Sequence, residues 1–146
     1  MDERLSGRRY INGSYGELWW DGEKIAGINK FELKLTPERE DVPGDGLDMD
    51  AKIVAIKVEG SFTVKKLHSR AVDKLIKNWL QGLDPRSTII AKLADPDTFG
   101  SERVTIENVW FNETAIMQFE KKKVTEEEYK FGCTASSIRF YELIRG

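Results

Sequence analysis

One stretch of this chain carries a helical period, and the segments around it alternate instead. In Ser69 to Gly82, SRAVDKLIKNWLQG, the apolar residues Val72, Leu75, Ile76, Trp79 and Leu80 recur at i, i+3, i+4, i+7 and i+8. That spacing makes one stripe along a helix. Ser69 stands where a side-chain oxygen can cap the orphan amides, and Gly82 supplies a left-handed stop with Pro85 soon after. The stripe predicts a helix over about residues 69–82 that packs on its own subunit through those five side chains. A lone amphipathic helix needs a surface to cover. The expected fold class is therefore mainly β: a β-barrel or sandwich with one flanking α-helix, in a single domain spanning residues 1–146.

The strands are read from period-2 alternation and from turn residues. GELWW is a first strand, and Asp21-Gly22 favours a tight type I′ turn. The return strand runs from about Lys24 to Thr36, with Gly27 as a bulge or bend. Ala51 to Leu67 is the longest strand candidate, with Val54, Ile56, Val58, Phe62 and Val64 on one face and Gly60 as a bend. Further strands are expected at Ser87 to Ala94, at Glu102 to Phe111, through Ala115, Met117 and Phe119, at Glu127 to Ala135, and in IRFYELI near the end. Phe111-Asn-Glu-Thr reads as a turn, and Lys121-Lys-Lys as a solvated hairpin end.

Three features do not fit a core-only role. Residues 1–12 are polar and predict an N-terminal arm that orders against something else. Residues 37–50, PEREDVPGDGLDMD, predict a long acidic loop, on which Val42, Leu47 and Met49 are apolar. Such a loop is either a floppy surface segment or an extension that docks on a neighbour. Trp19 and Trp20 are adjacent in a strand, so their rings leave opposite faces. Either that strand is buried on both faces, or one ring lies against another chain. The candidate subunit-interface residues are Trp19, Val42, Leu47 and Met49.

Composition narrows the function by exclusion. Net charge is -2 at pH 7, which gives no overall pull toward nucleic acid or anionic membrane. No run is long and apolar enough to span a bilayer, and the first residues lack the apolar core of a signal peptide, so a cytoplasmic location is expected. Cys133 is the only cysteine and His68 the only histidine, which leaves no intrachain disulfide and no zinc set; a nucleophilic triad would need His68 beside a Ser or Cys133, and its place between strand and helix is explained by turn hydrogen bonding. Asp95, Asp97 and Gly100 imitate a calcium loop, but Phe99 and Ile106 stand where carboxyl ligands are needed. No catalytic residue, metal or cofactor is expected, and the chain does not read as an enzyme.

The order of parts is similar to that of a known family. INGSYGELWWDGEKIAGINKFELKL, the acidic segment, GSFTVKKLHSRAVDKLIKNWLQG and the closing EEEYKFGCTASSIRFYELI resemble the tail tube protein of contractile phage tails, of the type found in the defective phage PBSX and in R-type bacteriocins. The resemblance covers nearly the whole chain. Its specific pieces are the N-G-x-Y-G-E-x-W-x-D-G opening at residues 12–22 and the G-S-F-T-V…S-R stretch before the helix. It implies a homo-oligomer of stacked hexameric rings forming the inner tube of a phage or phage-like particle. Sheath and baseplate proteins would be its partners, and DNA would pass through the lumen without sequence-specific binding. Assembly would take place in the bacterial host cytoplasm. A type VI secretion tube protein would look similar at this level. A monomeric, lipocalin-like ligand-binding β-barrel would also give many strands and one helix.

Overall fold

The computed structural model describes residues 7–66, 70–97 and 100–144. The chain opens with short 3-10 turns at Gly7–Arg9 and Gly13–Tyr15, then strand β1 (Gly16–Trp20). Asp21 and Gly22 both take positive φ, 51° and 83°, which is the type I′ geometry the Asp-Gly pair predicts. They return the chain into β2 (Glu23–Lys24). The expected long return strand breaks there. Gly27, at φ 77°, redirects the backbone before β3 (Ile28–Pro43). Then follow β4 (Met49–Lys65), helix α1 (residues 70–80), β5 (Ser87–Leu93), β6 (Glu102–Thr114), β7 (Glu126–Cys133) and β8 (Ile138–Glu142).

All pairings are antiparallel, in the order β2-β1-β5-β6-β7-β4-β3, with β8 also on β6. The path does not close into a barrel. It folds into two half-sheets that share β6. The first part of β6 pairs with β5 and β8, and the part from Trp110 onward pairs with β7. Asn108, with φ 54°, is a left-handed residue at the register shift between the Ile89↔Ile106 and Ser87↔Val109 pairs, just before the strand changes sheets. Leu18, Trp20, Ile89 and Ile106 from one half meet Phe62, Phe111, Tyr129 and Phe131 from the other. Trp20 is fully buried, with its ring centroid 4.8 Å from Phe111, 5.3 Å from Tyr129 and 5.8 Å from Phe62. This aromatic cluster is the centre of the core.

Helix α1 winds as a π turn over Val72–Ile76 and as α-helix over Lys77–Leu80. The Gly82 N–H donates to the Trp79 carbonyl and the Leu83 N–H to the Asn78 carbonyl, the paired bonds of a Schellman stop. Leu75 is buried in the core, and Ile76 and Trp79 pack partly against it. Leu80 departs from the expected stripe and is 83% exposed, because it follows the last turn that reaches the sheet. Ser69, the expected cap, and the Val72 side chain lie outside the described part of the protein.

The segment 37–50 is not a loop. It is the far half of a long β-hairpin in which β3 and β4 pair continuously from Ile28↔Val64 to Pro43↔Met49, leaving only residues 44–48 as the turn. The prolines are tolerated because β3 is an edge strand, where a missing N–H can face away from the ladder. Two further expectations change. Phe111 to Thr114 continues β6, while Ala115, Met117 and Phe119 lie in the β6–β7 connection and form no strand. Their alternation had no neighbouring strand to pair with. Gly60 is not a bend either, since β4 runs straight through it.

Candidate assembly interface

The geometry of the hairpin follows from unequal strand lengths. β4 has 17 residues, but β7, its second neighbour, reaches only as far as the Cys133↔Val58 pair. Beyond that pair the hairpin is a two-stranded ribbon, Thr36–Pro43 against Met49–Lys57. Register decides its two faces. Leu35, Pro37, Arg39, Asp41 and Pro43 stand opposite Val58, Ile56, Ile53, Ala51 and Met49, with Val54 as the extra residue at a bulge. This face continues the one that buries Phe62 and Val58 in the core, and along β4 it remains apolar after the core has ended, while β3 adds Arg39 and Asp41 to it. Leu35, Ile53, Val54, Ile56 and Met49 are all exposed, and Leu47 at the turn is fully so. The other face carries Glu38, Glu40, Asp50, Lys52 and Lys57, with Val42 among them opposite Asp50. An isolated two-stranded ribbon is marginal in water. An uncovered apolar face on one marks a binding surface.

At its base the apolar face runs into a cleft of about 600 Å³ between the near half of β3 and strands β1, β5, β6 and β8. Phe31, Leu33 and Leu35 line one wall, and Leu18, Ala91, Val104, Ile138 and Phe140 the other. The cleft exists because the half-sheets do not join along β3 and β8, so the enclosed cavity of a lipocalin-like barrel is not formed.

The outward face of β3, β4, β7 and the end of β6 is charged and balanced. Lys30, Lys34, Lys57, Lys65 and Lys130 alternate with Glu32, Glu59, Glu113, Glu126 and Glu128. Ion pairs tie neighbours together: Lys34–Glu32 at 2.9 Å, Lys57–Glu59 at 3.1 Å and Lys130–Glu113 at 3.1 Å. The hydrogen bond from Lys34 holds the Glu32 carboxyl below its ordinary value, and the bonds to Glu32 and Glu113 hold Lys34 and Lys130 above theirs. These groups are largely solvent-exposed, so the pairs order the charges and stabilise little.

Reactive chemistry is sparse. Among the described residues no group of three or more His, Cys, Asp or Glu could hold a metal ion. Cys133 is buried, and burial pushes its thiol up, away from the nucleophilic thiolate. His68 lies outside the described residues. Asp95 is buried and accepts from the Asn12 and Asp97 N–H groups, so this carboxylate ties the N-terminal segment to the β5–β6 connection. Arg9 adds a bond to the Asp97 carbonyl.

Comparison with known proteins decides what this arrangement belongs to. A family model described as phage tail tube protein matches residues 3–138. The chain belongs to the phage tail tube protein family. A relative, the phage-like element PBSX protein XkdM of Bacillus subtilis strain 168, is 31% identical over 130 residues, covering 87% of this chain and 88% of that one. The fold is shared with a chain of the sheath-tube complex of PVC, an extracellular contractile injection system in its extended state. The TM-score is 0.68 at 10% identity, with 99% of both chains covered. Hcp1 from Flavobacterium johnsoniae aligns with a TM-score of 0.56 at 11% identity, over 90% of this chain and 99% of that one.

Within this family member the four residues singled out from sequence fall in two places. Val42, Leu47 and Met49 lie together at the far end of the ribbon, all exposed. Trp19 is half-buried on β1, with Lys24 Nζ 5.9 Å from its ring centroid, while Trp20 fills the core. Sequence reading placed Val54 and Ile56 on one face with Val58 and Phe62 and did not single out Ile53, and it missed the exposed Ile116, Met117 and Phe119 of the β6–β7 connection as a surface. The signal for the first group was length: a strand of 17 residues outruns any ordinary partner.

Proposed function

We propose that this chain is the repeating subunit of a hollow tail tube, assembled as six-fold rings stacked end to end within a sheath and grown from a baseplate. The observation that carries this reading is the ribbon beyond Val58, which projects from the core with its apolar face uncovered. In the assembled tube that face, with Met49 and the turn residue Leu47 at its end, is covered by neighbouring copies, and Val42, on the opposite face of the same tip, is covered with it. Burying each such side chain contributes about 1.5–3 kcal/mol. Repetition around closed rings turns weak single contacts into cooperative assembly. Trp19 is placed in the same role on β1.

The charge-balanced face of β3, β4 and β7 suits the wall of the bore. DNA is held by lysines that release its counterions. Lysines alternating with glutamates, several of them already ion-paired, offer DNA passage without retention. The DNA is then cargo, not a ligand. Assembly would take place in the host cytoplasm before the particle leaves.

Replacing Leu47 and Met49 together by Ser tests the reading. Both are exposed, so the subunit keeps its circular dichroism spectrum and unfolding midpoint while tube formation is lost. Normal tubes from that variant would remove the ribbon as the joint.

A further inference from the structure

We propose that the acidic tip of the ribbon on one copy docks onto the basic, apolar β6–β7 connection of the next copy along the tube, and that this contact sets the polarity of the stack. The inference rests on the tube reading above and names the surface that receives the ribbon.

Topology places the two features at opposite ends of one half-sheet. β4 starts at the ribbon tip and ends at Lys65, which pairs with Glu126 at the start of β7. The next N–H, of Lys66, donates to the Thr125 carbonyl at the end of the β6–β7 connection. The 17 residues of β4 therefore separate the features by about 50 Å at roughly 3.3 Å per residue. A chain cannot seat its own tip on its own connection, but two copies in line can.

The surfaces complement each other in chemistry. From residue 41 to 50 the tip carries Asp41, Asp45, Asp48 and Asp50 and no lysine or arginine, beside the exposed Leu47 and Met49. The β6–β7 connection exposes Ile116 at 76%, Met117 at 78% and Phe119 at 71%, next to Lys121, Lys122 and Lys123. Lys123 pairs with Glu120 at 3.3 Å. Among the described residues, Lys121 and Lys122 have no ion-pair partner. A partner for this end must be both apolar and acidic, and the tip of a second copy is both. Phosphate on DNA would satisfy the lysines and leave the three apolar side chains in water. Two different surfaces meeting head to tail form a heterologous contact, which propagates along an axis instead of closing as a dimer. Apolar cover over the contact also lowers the local dielectric and strengthens its charge pairs.

The test is charge reversal on the full chain, with tubes read by sedimentation and electron microscopy and folding checked by circular dichroism. Asp45→Lys with Asp48→Lys, or Lys121→Glu with Lys122→Glu, should each raise the critical concentration for tubes by about tenfold or more. All four together should return it to within about threefold of the native value, since the reversed charges attract again. A second readout is oxidative cross-linking of a Leu47→Cys, Met117→Cys chain, which should give a ladder of multimers, whereas each single cysteine variant stops at dimer. A fourfold variant as defective as either pair, or tubes without a ladder, overturns the docking while leaving the tube reading intact. Normal growth of the Lys121→Glu, Lys122→Glu chain with weakened DNA retention would assign that end to nucleic acid instead. A native chain that forms no sedimentable tubes under any condition would overturn both readings.

Discussion

Gly60→Ala adds a single methyl group to the middle of β4 and should be among the most damaging small changes in this protein. Gly60 stands opposite Leu33 on β3 and Phe131 on β7. A Cβ built there would sit 2.4 Å from Phe131 Cζ, 2.7 Å from its Cε2 and 2.9 Å from the Glu32 carbonyl oxygen. The ring cannot simply swing away. It is buried, with centroids 6.0 Å from Phe62, 6.1 Å from Phe111 and 6.2 Å from Phe31. The carbonyl belongs to the backbone of β3 and is fixed by the ladder. Relief therefore needs a displaced aromatic ring and a shifted strand, and overpacking of this kind costs about 1–3 kcal/mol. In the opposite direction, Ala loses less backbone entropy than Gly by about 0.5–1 kcal/mol. The net expectation is a destabilisation of about 1–2 kcal/mol, read as a lower urea midpoint with an unchanged slope. A double-mutant cycle sharpens it. Phe131→Ala alone should cost about 3–5 kcal/mol, and combining it with Gly60→Ala should cost less than the sum, because the clash with the ring is gone. An unchanged or raised midpoint for Gly60→Ala, or strict additivity with Phe131→Ala, would refute this packing.

Leu75→Ala and Leu80→Ala separate the buried from the exposed part of the helix stripe. The first should cost about 2–5 kcal/mol, and the second should stay within about 0.5 kcal/mol; equal effects would mean that the helix sits differently on the sheet. Stability should also fall at alkaline pH. Burial, then the hydrogen bond to Glu127 at 2.7 Å, raises the Tyr129 hydroxyl above its ordinary value of 10.0, and burial raises Cys133 above 9.0. Groups raised in the fold contribute stability that is present below their unfolded values and lost as pH climbs past them. Unfolding midpoints should therefore drop from about pH 9 upward, and Tyr129→Phe should make the fall above pH 10 shallower. Parallel curves for the two proteins would contradict that assignment.

Local chemistry carried far in this sequence, and partner geometry did not. Asp21-Gly22 specified its turn because both residues accept positive φ, and Gly82 marked the helix end for the same reason. Trp19 and Trp20 marked a strand with a ring on each face, and which of the two would enter the core depended on a register the sequence does not print. The ribbon was misread because prolines and acidic residues at 37–50 look like a loop, whereas an edge strand tolerates both. Val54 and Ile56 alternate in phase with Val58 and Phe62, so nothing local says that β7 stops at Val58 and leaves them uncovered. Met117 and Phe119 show the converse, an alternation with no strand beside it. Whether a strand face is core or interface depends on the length of its neighbours. For the assembly site, Val42, Leu47 and Met49 were visible as apolar residues in an acidic segment, while the receiving surface emerged only once the topology placed Ile116 to Lys123 at the far end of β4.

If this subunit builds a hollow, polar tube, electron microscopy of the purified native chain should show stacked six-fold rings with an open bore. A chain that stays monomeric across concentration and salt, or that forms closed symmetric dimers through the ribbon, would contradict it.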